Sequence, residues 1–389
     1  MVENYDAISY LGEIAGELAQ IHRGKHYAQW RGDAVRRVDR VLSSSDPFRD
    51  YATTRVFSGV DASALIDGQF GEWAIDRLVE NMKPKEIIEA FHAEVARNSC
   101  RYEEVSPIIG VKIEAEIEIA QGIHIVPPSN SMLDPDSYSW RYQWPMIPEG
   151  TGFLVQMYDV TPAFVQVGEG DAEAINTSET LPNAETREAA KQRVRRACLL
   201  SSDGGVEIPV SVALSDRKSL FQVDGNSSSR PFATKPNFAF TVNSCLIKAV
   251  FDALAAMSER EVLERAIDRL GRSRLAIDPI DRAIDLGIAA EIVLMHDVGS
   301  SNAEITYKIS SRAAWLIGEN IDARTEIFEL MRDLYGARSK AVHSGKFPTK
   351  KPVDLDAADR MVSYVIRLVL ERGQFPDWKR LALGSASGK

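Results

Sequence analysis

Cysteine is scarce in this chain: three residues, Cys100, Cys198 and Cys245, lie far apart, and no Cys-x-x-Cys pair occurs. That argues against a disulfide framework and against a cysteine-rich zinc site. Histidine is nearly as rare, six in 389 residues. His22 and His26 stand i,i+4, a permissible metal-ligand spacing, but no third ligand accompanies them, so neither a metal nor a cofactor is expected. A Gly-rich phosphate loop is missing, since Gly168-Glu169-Gly170 lacks the spacing and the helix start, and there is no Gly-x-Ser-x-Gly elbow. Long apolar runs are missing too. The most apolar stretch, 238–257, is interrupted by Asn243, Lys248 and Asp252, so no membrane span is expected. The opening residues Met1-Val2-Glu3-Asn4 lack the basic and apolar regions of a signal peptide, and a cytoplasmic protein is the expectation.

What is present is an ordinary globular composition, 44% hydrophobic and 26% charged. At roughly 100–200 residues per domain the length predicts two domains, or three. The net charge of −10 would ordinarily argue against nucleic acid as a partner, but it is unevenly spread. Residues 238–389 carry 22 basic and 21 acidic side chains, against 24 basic and 35 acidic in 1–237. The acidity belongs to the N-terminal part, which suggests two parts with different tasks.

The first hundred residues read as largely helical: Ile8, Leu11, Ile14, Ala15 and Leu18 recur at helical spacing, and a second helix is compatible with 86–91. The period then changes. Val111 to Ile119 alternates apolar and charged side chains without a fault, which predicts one strand with a wet face. Gln121-Gly122 offers a turn before a second short strand, Ile123-His124-Ile125-Val126, on which His124 takes the polar side. Further strands are expected at 152–160 and 206–214, with a basic amphipathic helix at 186–200 between them. Asp224 to Pro231 is the best linker candidate. Beyond it helices are expected near 241–257, 259–273, 279–296, 303–318, 322–343 and 355–373. The expected organisation is α+β: an N-terminal mixed α/β domain at 1–223, of one or two subdomains, a linker at 224–237, and an all-α bundle at 238–389.

One helix near the end carries the chemistry. It closes on Arg338-Ser339-Lys340-Ala341-Val342-His343, with Gly345 as a candidate C-cap. Metal-free RNA cleavage needs a proton carrier for the 2′-hydroxyl or the leaving oxygen, and a fixed cation on the phosphate. Histidine supplies the first and arginine the second. Five residues separate the pair by about 140° around the helix. One helix therefore does not easily join the two heads, whereas two such helices facing each other across a dimer would. His343 lies near the helix C-terminus, where the macrodipole favours a cation. Residues 336–351 hold Arg338, Lys340, Lys346, Lys350 and Lys351 and no acid, a patch suited to a phosphate backbone. The plainer alternative is a solvated, positively charged helix end.

Three stretches, in order, resemble the HEPN superfamily, in particular its ApeA-like branch. They are Asp281 to Glu291, a helix ending in an acid amid small apolar residues; Glu304 to Ala314; and Arg338 to His343, which resembles the family's Arg-x4-6-His signature. The resemblance covers 266–370, and implies a helical bundle that dimerises with the two Arg-His helices apposed. It implies a metal-independent endoribonuclease, often a toxin or an antiviral effector, that leaves a 2′,3′-cyclic phosphate. Carried over, Arg338 would bind the scissile phosphate and His343 would act as general acid/base. Ser339 occupies the polar position after the arginine, and Glu291 would orient the arginine or the histidine. Glycine commonly follows the histidine directly, whereas here Ser344 stands between His343 and Gly345. The implied partners are RNA, bound with the help of Lys340, Lys346, Lys350 and Lys351, and a second copy of the chain. A regulatory ligand or protein is expected at the N-terminal part, with its acidic surface covering the basic patch until displaced. The alternative from a different class is a non-catalytic HEPN dimer acting as an RNA- or protein-binding scaffold.

Other features carry less. Tyr138, Trp140, Tyr142 and Trp144 alternate around Arg141, a pattern that suits base stacking but more often marks an aromatic strand face on a core. The basic helix near Arg193, Arg195 and Arg196 reads chiefly as a solvated face. His296 ends a helix, where it complements the dipole.

Overall fold

The computed structural model describes residues 6–21, 27–52, 54–57, 63–65, 69–128, 150–166, 184–216, 218–221, 227–229, 240–298, 304–348 and 352–383. They form a mixed α and β protein of two compact units, neither continuous in sequence. The first comprises Met1–Val105, Val155–Glu185 and Ser211–Ser228; the second comprises Ser106–Leu154, Thr186–Val210 and Ser229–Lys389.

The first unit is built on helices α1 (Ala7–Gln20), α2 (Tyr27–Leu42), α3 (Gln69–Val79) and α4 (Pro84–Arg97). Asp6 caps α1 by accepting from the Ile8 N–H, and Pro84 opens α4 where a missing N–H costs nothing. Aromatic rings fill its core: Phe48 lies 4.2 Å from Phe91 between centroids, with Phe70 and Trp73 edge-on to them. Strand β1 (Thr54–Phe57) lies between β2 (Ser63–Leu65) and β7 (Phe164–Gln166), antiparallel to both. The leading half of β3 (Cys100–Lys112) pairs antiparallel with β8 (Val210–Ser215), Tyr102 opposite Ser215. A buried Arg77–Glu94 pair at 2.6 Å is satisfied further by the Trp73 indole and the Leu220 N–H, both donating to Glu94.

In the second unit the strands follow the order β4 (Ile117–Ala120), β5 (Ile123–Val126), β6 (Thr151–Val160), β3, with the short β9 (Phe240–Thr241) running parallel to β3. The expected single strand over 111–119 is therefore two. β3 ends at Lys112, the chain bends at Glu114-Ala115, and β4 starts at Ile117. The alternation survives the break because Ile113 and Ile119 both bury while Lys112 and Glu118 face out; periodicity reports the face, not the continuity. The turn at Gln121-Gly122 is present, with Gly122 at φ 71° and Glu118 opposite His124.

The second unit also holds α5 (Ala184–Leu200), α6 (Ser244–Ala256), which packs on β4, and α7 (Arg260–Leu275), α8 (Pro279–Met295), α9 (Ile305–Ile317), α10 (Ile321–Ser344), α11 (Leu355–Glu371) and the short α12 (Trp378–Ala382), which pack chiefly on one another. The boundaries read from periodicity fall within a few residues of these. The caps explain why: Asn243, Asp278, Asn320 and Asp354 each accept from a first-turn N–H. Gly345, at φ 62°, closes α10 with its N–H on the Ala341 carbonyl, as its position predicts.

One boundary between the units, Ser228/Ser229, falls within the expected 224–237 segment, most of which lies outside the described residues; the others, after Val105, Leu154, Glu185 and Val210, were not expected. Helix α5 shows the cause. Val194, Ala197, Cys198 and Leu199 are fully buried in the same core as Leu263, Ile267 and Leu270 of α7. On its other side Arg196 pairs with Asp268 and Glu264, and Arg195 with Asp268. The basic helix is thus not a solvated face: Arg195 and Arg196 are matched by acids some 70 positions away, which local charge patterning cannot register, Lys191 pairs with Glu188 on the same helix, and Arg193 lies over the Phe251 ring. Within 238–389 the described elements are helices apart from the two-residue strand Phe240–Thr241, as expected; the second unit is larger than that segment and takes in strands and α5 as well.

Candidate functional site

Helices α8 and α10 of the second unit cross where Gly287 meets Arg338. A Cβ on Gly287 would stand 2.6 Å from Arg338 Cγ and 2.8 Å from its Cβ, so only glycine admits the arginine stem there. Laid over Gly287, the guanidinium reaches Glu291, one turn further along α8. Arg338 Nη2 lies 3.2 Å from Glu291 Oε2. Tyr335, one turn before Arg338 on α10, donates its hydroxyl to the same Oε2 at 3.3 Å and accepts from Arg338 Nη1 at 3.5 Å. The Arg338 guanidinium also stands 5.2 Å above the Tyr335 ring centroid, a cation–π distance. Burial and the neighbouring Glu291 carboxylate push the Tyr335 hydroxyl above its ordinary pKa, so it stays a donor. Arg338 Nε is buried and has no partner among the described residues.

Glu291 and Arg338 are therefore brought together. His343 is not at this cluster: it is exposed in the last turn of α10 and makes no hydrogen bond or ion pair with a described residue. Five residues advance it about 7.5 Å along the axis and about 140° around it. Ser339 is half-buried, and Lys340 and Lys346 are exposed; the Lys340 carbonyl accepts from Ser344 at 2.7 Å. Lys350 and Lys351 lie outside the described residues, as do His22, His26 and the Tyr138–Trp144 aromatics.

Beside Arg338 opens a cavity of about 540 Å³, walled by α7, α8, the turn after α8 and the start of α9. Its polar side chains are Arg265, Glu291, His296 and Arg338. His296 is more than a helix-end cation. The Trp378 indole donates to its Nδ1 at 3.2 Å, and its ring stacks on Phe375 with centroids 3.9 Å apart. An imidazole that accepts at Nδ1 carries its proton on Nε2, and Nε2 stands 3.9 Å from the Glu259 carboxylate.

Gly287, Tyr335 and Arg265 were not singled out from the sequence, and His296 was read only as a helix-end residue. Two of them had a local signal: Tyr335 precedes Arg338 by three residues and Gly287 precedes Glu291 by four, spacings that share a helix face. Arg265 and His296 had none, since tertiary packing alone brings them to the site.

Among the described residues no three His, Cys, Asp or Glu side chains gather as a metal site requires, and no described helix is long and apolar enough to cross a membrane. No protein-family model, curated protein or solved structure matches the chain.

Proposed function

We propose that the chain is a metal-independent endoribonuclease of the HEPN type, working as a homodimer in the cytoplasm as a toxin or antiviral effector. The observation that carries this reading is the fixed guanidinium of Arg338, held over Gly287 by Glu291 and Tyr335 on the helix that ends in a free, solvent-facing imidazole, His343. Arg338 is the phosphate-binding cation. Glu291 is a positioning residue that acts through it. His343 moves the proton: it takes the 2′-hydroxyl proton as that oxygen attacks phosphorus, or gives one to the departing 5′-oxygen. The products are a 2′,3′-cyclic phosphate and a 5′-hydroxyl, and DNA is spared because it lacks the attacking hydroxyl. Lys340 and Lys346, exposed on the same helix end, supply further phosphate contacts.

Because His343 stands apart from Arg338 on one helix, the site is composite, with the imidazole of one copy meeting the arginine of the other. Val342, half exposed next to His343, is apolar surface that such a contact would cover. A second reading has its own support: Arg338 is already engaged by a carboxylate, which suits a non-catalytic dimer that binds RNA or a protein.

One experiment separates the two. The full chain is incubated with total RNA in the presence of EDTA, beside Arg338→Ala and His343→Ala. Cleavage that persists in chelator and is lost in both variants supports the enzyme. A folded wild-type dimer that binds RNA and cuts none supports the scaffold. A monomer by light scattering at every working concentration sinks the composite site.

A further inference from the structure

The cavity beside Arg338 has features that phosphate binding alone does not need. Ile288, Ile292, Met295 and Val298 give it apolar walls, and its volume of about 540 Å³ falls among sites that enclose a small molecule. On the wall next to Arg338, Glu291 commits only Oε2 to Tyr335 and Arg338; Oε1 accepts from no described residue. At another edge His296 has Nδ1 taken by Trp378, and its Nε2 N–H, 3.9 Å from the Glu259 carboxylate and so outside hydrogen-bond range of it, is left to offer. Arg265, exposed at the mouth, pairs with no carboxylate among the described residues. A free acceptor, an imidazole N–H, aliphatic walls and two guanidiniums thus share one cavity.

We propose that this cavity seats one unstacked nucleobase of the RNA, with the phosphate of the same nucleotide on Arg265 and Arg338; the proposal rests on the ribonuclease reading and names how its substrate is chosen. A base fits these walls because both its faces are apolar and its edge is not. One ring N–H or amino group donates to Glu291 Oε1, and one carbonyl or ring nitrogen accepts from His296 Nε2. Bases splayed out of a single strand are commonly held in this way, between side-chain faces with hydrogen bonds along the edge. An inorganic anion would leave the apolar walls unused. A fatty acid would leave Glu291 Oε1 and the His296 N–H without partners, which is costly in a closing site. The consequence is a cleavage bias: cuts fall at a constant offset from the preferred base.

The test uses the full chain and, as probes, the four nucleoside 5′-monophosphates, inorganic phosphate and laurate, titrated by calorimetry. At least one nucleotide is expected to bind tighter than phosphate by about tenfold or more, and Ile292→Trp, which fills the cavity, is expected to abolish that difference. If Ile292→Trp fails to fold by circular dichroism, Val298→Trp replaces it. In parallel, sequenced cleavage ends from total RNA are expected to show one enriched base at a fixed position, with the enrichment lost in the tryptophan variant. Nucleotides binding no tighter than phosphate, laurate binding tightest, or a base preference untouched by the tryptophan would each overturn the proposal. Failure of the ribonuclease reading looks different: the nucleotides bind, the tryptophan blocks them, and no RNA is cut.

Discussion

Arg338 rests on Gly287 so closely that a Cβ there would lie 2.6 Å from the arginine Cγ. The clash involves the root of the side chain, which cannot swing away without moving α10. Gly287→Ala is therefore expected to push α8 and α10 apart and lift the guanidinium from Glu291. Alanine is the better helix former by about 1 kcal/mol, so propensity alone predicts a higher melting temperature. The packing argument predicts a lower one, together with a loss of RNA cleavage on the order of 100-fold from misplacing the cation. A variant that melts higher and cleaves normally would show that the contact positions nothing.

Glu291 and Arg338 have side chains 34% and 24% exposed, so their attraction is well screened. Glu291→Gln is expected to change stability by less than about 1 kcal/mol. Any larger effect then belongs to function. The glutamine keeps an acceptor for Tyr335 but removes the anion that competes with phosphate for Arg338. Tighter phosphate or RNA binding with slower turnover is the expected split, read as a lower KM and a lower kcat. Equal losses in stability and turnover would instead mark Glu291 as merely structural.

How much of this was legible beforehand differs by element. The helices from α6 to α11 were readable because their signals are local: asparagine or aspartate caps at 243, 278, 320 and 354, and apolar side chains at helical spacing. Arg338, His343 and Glu291 were readable as an ordered pattern. That Glu291 pairs with the arginine, while His343 is left free, was not, because the rotation of α8 against α10 is set by Gly287, which sequence alone reads as one small residue among several. Of the division into units only the boundary at Ser228/Ser229 was legible, within the linker segment; the rest was not, for a similar reason. It depends on β3 continuing from one unit into the next, and on acids of α7 waiting for the arginines of α5.

Arg274 and Asp359 form a deeply buried ion pair of the second unit, with side chains 3% and 7% exposed. The guanidinium uses Nε and Nη2 on Asp359 at 2.8–3.1 Å, and Nη1 on the Leu199 and Ser202 carbonyls at 2.7 Å each. It ties α7, α11 and the segment after α5 together. Asp359→Ala strands a buried cation and is expected to cost about 3–5 kcal/mol in urea unfolding. Replacing both partners, as Arg274→Met with Asp359→Leu, is expected to return much of that loss, because no charge is then left buried. A single variant as stable as wild type would mean that water reaches the guanidinium.

Asp268 makes stability depend on pH in a predictable sense. Burial pushes its carboxyl upward, but the hydrogen bonds and charges of Arg196 and Arg195 outweigh this and leave it below the ordinary carboxylate value. A group whose folded pKa is depressed contributes stability that is fully present above its unfolded value, about pH 4, and is lost as pH falls through the folded value. Asp268→Asn removes the charge at every pH. The variant is therefore expected to unfold more easily than wild type at pH 7, by on the order of 2 kcal/mol for hydrogen bonds to a charged group. The gap should narrow at pH 3 and below, as the wild-type carboxylate takes up its proton. Urea midpoints for both proteins at pH 7 and pH 3 measure this directly. A gap of the same size at both would mean that the arginines of α5 hold Asp268 by shape and hydrogen bonding, with no contribution from its charge.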